Sequence, residues 1–250
     1  LNTTSIIAQI AEWLGVIAVA WLLSLSPRFS RGQVGFRYVR RDGMAALSIT
    51  FIAIIFSFIF YNSGLGDTLS GFFRLPGKAT ELARPLALAL FTLLPVIAAL
   101  ILRGQPLRST GWNGQMLRPG LQVGLALVLL TIFLRNRVMD VLGGISTDET
   151  WYLIGALGIA VAEETVFRGY IQLRLNSWLG ENRGWIATAL AYAVWRLPGL
   201  MGGSSLPVIL IGLALVLVQG LVTGFLMRKC NHLLAPVLYR AVSIWMNVFV

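Results

Sequence analysis

Apolar positions run in stretches too long for the core of a water-soluble domain. From the amino end they form about eight spans, roughly residues 5–25, 44–62, 83–102, 119–134, 151–178, 184–197, 206–227 and 233–250. A helix rises 1.5 Å per residue, so about 20 residues cross a hydrocarbon core of ~30 Å. A helix also satisfies its own backbone donors and acceptors where no water is available. The pattern therefore predicts an all-α fold, a polytopic membrane bundle of about eight transmembrane helices. It reads as a single transmembrane domain over 1–250, with an N-terminal four-helix part (1–150) and a second part (151–250).

The intervening segments carry their own signals. Gly64, Gly66, Gly71, Pro76 and Gly77 predict an irregular, partly interfacial loop between the second and third spans, with Phe72 and Phe73 at headgroup level. Ser146-Thr147-Asp148-Glu149 predicts an N-cap and an acidic first turn for the fifth span. The loop from Pro27 to Gly43 holds five arginines and reads as a topological anchor, with a lipid-headgroup or partner-docking patch as the alternative.

Composition agrees with this class: 57% of residues are hydrophobic, 12% are charged and the mean hydropathy is +0.78. The net charge of +10 reflects arginines flanking apolar spans, which implies orientation in a bilayer rather than binding to nucleic acid. Twelve basic residues fall in the loops of one side and five in those of the other. The positive-inside rule then places both termini outside, in a plasma or inner membrane. The first span is too long for a signal peptide and has no basic leader. The single cysteine, Cys230, permits no intramolecular disulfide and reads as a small apolar residue near a helix end. Glu12 in the first span reads as an interfacial structural residue, with a partner on a neighbouring helix as the alternative.

The fifth span breaks the apolar pattern. Val161-Ala162-Glu163-Glu164-Thr165-Val166-Phe167-Arg168-Gly169-Tyr170 puts three ionisable residues inside a membrane helix, where each charge costs at least ~2.5–3.5 kcal/mol on insertion scales. Glu164 and Arg168 are spaced i,i+4 with the acid first, the favourable order for a helical ion pair. Glu163 lies about 100° further round the helix, so its partner must come from elsewhere. Two other arginines fall within spans, Arg196 and Arg240. Counting depth at 1.5 Å per residue puts Glu163 ~12 Å, Arg168 ~5 Å, Arg196 ~17 Å and Arg240 ~10 Å from the inner face. All five charges can meet in the inner half of one bundle.

Glu-Glu-x-x-x-Arg followed by Gly169 and Tyr170 resembles the first motif of the CPBP family of intramembrane proteases, which includes the CAAX prenyl endopeptidases and the bacteriocin-processing, or Abi, proteins. The resemblance covers roughly 151–250, a CPBP-like motif core, and implies Glu163, Glu164 and Arg168 as the family's catalytic positions. It also implies an aromatic-x-x-x-His motif on the next helix and a His-x-x-x-Asn motif near the last. Here the second reads Tyr192-Ala193-Val194-Trp195-Arg196 and the third Arg240-Ala241-Val242-Ser243-Ile244. Arginine replaces both histidines, and isoleucine replaces the asparagine.

Those exchanges bear on the reaction the family implies. Hydrolysis needs a carboxylate to activate water, neutral imidazoles to assist it, and a donor for the oxyanion. Arginine stays protonated, cannot ligate a metal, and makes a neighbouring carboxylate a counter-ion. The one histidine, His232, lies in the Arg228–His232 loop and reads as an interfacial residue rather than a ligand. No metal and no cofactor is expected, and cofactor-binding residues stay unassigned.

The sequence thus points to a degenerate pseudoprotease, its former catalytic centre a buried salt-bridge network, serving as an accessory or structural subunit of a membrane complex. Its partners would be the lipid bilayer and other integral membrane proteins. Two alternatives stand beside it. One is an active glutamate-dependent endopeptidase with an arginine as oxyanion donor. The other is a membrane protein that binds an anion or lipid headgroup in the charged pocket, entered past the glycine-rich segment Gly199–Ser205. Gly120-x-x-x-Gly124 and Gly220-x-x-x-Gly224 offer close helix packing, towards a partner or within the bundle.

Overall fold

The computed structural model describes residues 3–25, 35–202 and 205–249. Arg28, Arg31, Gly203 and Ser204 of the loops singled out above lie outside the described residues. Among those described, eight long helices follow the expected spans: α1 (Thr3–Ser24), α2 (Val39–Asn62), α3 (Ala83–Leu102), α4 (Leu117–Leu134), α5 (Thr147–Leu179), α6 (Glu181–Met201), α7 (Leu206–Cys230) and α8 (Leu234–Trp245). Five apolar units are long enough to cross a membrane: Val39–Asn62, Gly77–Leu102, Gly114–Leu134, Thr147–Leu179 and Leu206–Cys230. Ile7–Leu23 and Leu234–Phe249 are shorter apolar helices. The architecture is an all-α membrane helix bundle.

The loop between α2 and α3 is more ordered than its glycines suggested. It holds a short helix, Leu65–Ser70, and a 3-10 turn, Gly77–Leu82, that runs directly into α3. Phe72 is exposed there, as expected for a side chain at headgroup level. Part of the glycine-rich segment is also helical, since α6 continues through Gly199 to Met201.

α5 is the most buried of the five spanning units and packs against α3 and α8. Its start is fixed by a capping box: Glu149 N–H donates to Ser146 Oγ at 3.3 Å, and Ser146 N–H donates to Glu149 Oε2 at 2.6 Å. The helix is α-helical through Glu164, widens to a π-helix over Thr165–Gln172, and returns to α over Leu173–Leu179. Such widened turns are rare and concentrate at functional sites. Every residue of this π segment is buried. A Cβ on Gly169 would lie 2.4 Å from the Thr110 carbonyl oxygen, so the absence of a side chain there lets the loop before α4 touch the backbone of α5.

Small residues also set the spacing of the remaining pairs. Gly120 and Gly124 face His232 and Leu238, seating α4 against α8. Gly220 faces Ala189 and Tyr192, and Gly224 faces Trp185, seating α7 against α6. Both small-residue motifs therefore serve the inside of this bundle. α1 is attached by polar contacts: Trp13 Nε1 donates to Gln219 Oε1 at 2.8 Å, and Arg135 Nε donates to Glu12 Oε2 at 2.5 Å. Glu12 is fully buried and has the neighbouring-helix partner that the sequence allowed, since Arg135 at the end of α4 reaches back to neutralise it.

Asn231 ends α7 in the left-handed region (φ 50°), its N–H bonded to the Met227 carbonyl. His232 is buried within the protein: its Nδ1 accepts from Leu234 N–H at 2.9 Å at the start of α8, and its ring meets the Trp112 ring edge-on. Burial holds the His232 imidazole below the ordinary histidine range, while a hydrogen bond with the Asn113 backbone acts in the opposite sense.

The fold thus binds the neutral imidazole, and the unfolded chain takes up the proton more readily. This contribution is present in full above the ordinary histidine value of ~6.5 and is lost as pH falls through the lower folded value. The unfolding midpoint in detergent should fall between about pH 7.5 and pH 5, and His232→Asn should flatten that slope. Equal slopes in the two proteins would exclude His232 as the titrating group.

Candidate active site

Glu163 and Glu164 end the α-helical part of α5, one step before the π segment begins, and both side chains are buried. Glu163 turns towards α6 and α8. Tyr192 Oη donates to its Oε2 at 2.7 Å, Arg196 Nη1 donates to its Oε1 at 3.3 Å, and Arg240 Nη2 lies 3.7 Å from Oε2. Arg240 Nη2 also donates to Tyr192 Oη at 3.1 Å. The phenol is therefore a link in a chain running Arg240 to Tyr192 to Glu163. One carboxylate joins three helices through three side chains.

Glu164 has different company. Its Oε2 lies 3.4 Å from Arg168 Nε, the i,i+4 pair expected from spacing, and accepts no hydrogen bond. Arg168 Nε donates instead to Thr223 Oγ1 on α7 at 2.8 Å, and its guanidinium carbon stands 4.9 Å from the centre of the Tyr192 ring. Thr223 Oγ1 in turn donates to the Gln219 carbonyl of α7 at 3.1 Å. Arg168 thus binds α5 to α6 and α7 from inside. Phe167, Tyr192 and Trp195 pack ring to ring beneath the network with centroids 5.0–5.8 Å apart.

A cavity of about 300 Å³ adjoins the site. Tyr192, Arg196, Gln219, Arg240, Ile244 and Asn247 form the wall on this side; Glu163 and Glu164 do not reach it. The side chain of Arg196 is one-quarter exposed while that of Glu163 is wholly covered. Anything occupying the cavity therefore meets guanidinium and phenol before carboxylate. Among the described residues of the glycine-rich segment, none of Gly199–Met201 or Ser205 lines it.

The structure brings Glu163, Tyr192, Arg196 and Arg240 into one network, sets Glu164 and Arg168 beside it, and puts Ile244 on the cavity wall. Sequence reasoning missed Gln219, Thr223 and Asn247. Gln219 and Thr223 are polar residues in an otherwise apolar span, and Asn247 falls three residues beyond the isoleucine that replaces the motif amide. Each was available as an intramembrane polar residue in need of a partner.

Among the described residues no group of three or more His, Cys, Asp or Glu is placed to hold a metal ion. The guanidiniums of Arg196 and Arg240 fill the space beside Glu163 and repel a cation, so the residues present do not fit a divalent metal here.

No curated protein and no solved structure matches this chain. Residues 147–246 match the family model described as type II CAAX prenyl endopeptidase Rce1-like. That stretch, two fifths of the chain, runs from the capped start of α5 to the end of α8, and over it this integral membrane protein is similar to the type II CAAX prenyl endopeptidases.

Proposed function

We propose that this CAAX-protease-like membrane protein is a pseudoprotease, its former catalytic centre converted to a structural ion network, and that it serves as an accessory or structural subunit of a membrane protein complex. The observation that carries this reading is the position of Tyr192, Arg196 and Arg240 between Glu163 and the cavity. A general base must reach the water it activates, directly or through one intermediary, and pass the proton on. Permanently charged guanidiniums accept no proton and hold the carboxylate as their counter-ion. Glu164 is no better placed, being buried against Arg168 away from the cavity wall.

A fold retained without its acid–base partners has association as its remaining work. The arginine-rich segments at the start of α2, the end of α3 and the end of α7 share one membrane face. We place that face inside a plasma or inner membrane and both termini outside.

The second reading, an anion-binding protein, draws on the same cavity. Two guanidiniums, the Gln219 and Asn247 amides and a buried Arg240 Nε without a partner form a polar wall. The third, an active endopeptidase, would need Glu163 to work across its own counter-ions.

Glu163→Gln separates these possibilities. In the structural reading it leaves two guanidiniums without their counter-ion and destabilises the fold by roughly 3–5 kcal/mol, as for a broken buried ion pair. The unfolding midpoint in detergent should drop, and neither wild type nor variant should cut membrane-anchored peptides. Wild-type cleavage abolished by Glu163→Gln at an unchanged midpoint would overturn the proposal.

The converse change asks whether the arginines cause the inactivity. Arg196→His with Arg240→His restores two imidazoles beside Glu163 and removes up to two positive charges. Weak peptide cleavage should emerge in the double variant and be smaller in either single one, since such groups act as a unit. Recovery should stay partial because Ile244 supplies no amide, and one oxyanion donor is typically worth 10²–10³ in rate. Robust wild-type cleavage lost in the double variant would instead make the arginines catalytic.

Association has its own readout. The full chain, tagged and purified in mild detergent from native membranes, should travel in an assembly larger than one copy. Purification only as a single chain would exclude the subunit role.

A further inference from the structure

Outside the motif centre, the densest unmatched charge lies where α2 begins and α3 ends. A cup of about 650 Å³ is lined there by Phe36, Arg37, Arg41, Asp42, Arg103 and Arg108, with polar groups from Gln105, Ser109 and Asn113. The lining contributes four guanidiniums against one carboxylate. Asp42 is already committed: it is buried and receives Arg103 Nη2 at 2.8 Å and Gln105 Nε2 at 2.9 Å. Arg103 keeps a buried Nη1 with no hydrogen-bond partner. Arg37, Arg41 and Arg108 are exposed, and among the described residues none of them has an ion pair.

The cup has a rigid back. Arg174 is fully buried, with its guanidinium 3.7 Å from the Tyr170 ring centre and 4.9 Å from that of Phe36. It donates to Gln105 Oε1 at 2.6 Å, to the Ser109 carbonyl at 3.4 Å and to Ser109 Oγ at 3.3 Å. These bonds fix the segment that carries Arg108, and Gln105 in turn fixes Asp42. An orientation anchor needs basic residues near the interface but no such framework. Guanidiniums gathered around a concave space with a fixed back suit forked hydrogen bonding to phosphate oxygens.

A second feature narrows the ligand. The cup shares Tyr38 and Arg41 with a groove of about 550 Å³ whose other walls are Val39, Arg40 and Met44. This groove lies against the first turns of α2, where Tyr38, Met44, Leu47 and Phe51 are exposed on a spanning helix. A cationic cup thus adjoins a shallow apolar surface on the first turns of a spanning helix whose side chains are exposed, a profile matching an amphiphile with a phosphate head. We propose that the cup binds the phosphate headgroup of an anionic phospholipid while one acyl chain lies in the adjoining groove along α2. The site is separate from the Glu163 network and stands whether or not that network is catalytic.

The test uses the full chain in neutral detergent, titrated with a phosphatidylglycerol, a phosphatidylcholine of the same chains, and inorganic phosphate, with the unfolding midpoint as readout. Phosphatidylglycerol should raise the midpoint saturably, and the other two should have little effect at equal concentration. Arg41→Gln and Arg108→Gln should each weaken the apparent affinity about fivefold. Arg118→Gln, an exposed arginine on the same face but outside the cup, should leave it unchanged. Both cup arginines are exposed, so the variants should fold, and Arg37→Gln gives an independent third reading. Equal phosphatidylglycerol affinity in the cup variants and wild type would overturn the site. So would an equal loss in Arg118→Gln, which would indicate diffuse surface charge. An equal response to phosphatidylcholine would remove headgroup recognition, and an equal response to inorganic phosphate would make the site one for a soluble anion, overturning the lipid proposal.

Discussion

A carboxylate cannot sit alone in a membrane interior, and the arrangement around Glu163 follows from that constraint. Its charge is met by two guanidiniums and a phenol, and those partners come from α6 and α8. The network therefore determines which helices must be neighbours of α5 and at what depth. Replacing such a cluster by well-packed apolar residues is often neutral or stabilising, whereas removing one member leaves an unpaired charge. Its effect on the fold is thus better described as a demand for register than as a large net stabilisation.

Close approach of backbones makes the register attainable. Arg168 meets Thr223 and Tyr192 only because α6 and α7 pack tightly beside α5, and Gly220 and Gly224 set that distance. On the opposite side, Gly169 admits the Thr110 carbonyl. The π segment begins directly after Glu164, so the carboxylates stand at a change of helical pitch. From there onward, the side-chain directions no longer follow the 100° step of an α-helix.

This explains which parts of the molecule could be read from sequence. The positions of the eight helices were legible because apolar length is dictated by bilayer thickness, and five of the resulting units are long and apolar enough to cross a membrane. The Glu163–Arg196–Arg240 meeting point was legible because each ionisable residue in a span must find a partner, and few were available. The partners of Glu12 and His232 were not legible for one shared reason: both make contacts distant in sequence, Arg135 for the first and Trp112 with Asn113 for the second. The polar residues of α7 escaped notice because a lone Gln or Thr in an apolar run has no spacing that names its partner. The cup at the start of α2 was visible as a cluster of arginines, but its concavity depends on Gln105 and Arg174, which the chain brings there only on folding.

The motif centre leaves one charge unmatched, since Glu163 and Glu164 face Arg168, Arg196 and Arg240. An uncompensated guanidinium in a dry bundle would be costly, and the cavity supplies the relief. Arg196 is partly exposed to it, and Gln219 and Asn247 add amide groups to its wall. The space of about 300 Å³ has many apolar side chains in its wall, yet it presents these polar groups beside the guanidiniums while Glu163 remains covered. With Tyr192, Arg196 and Arg240 on its wall, an occupant of the recess meets guanidinium and phenol before carboxylate.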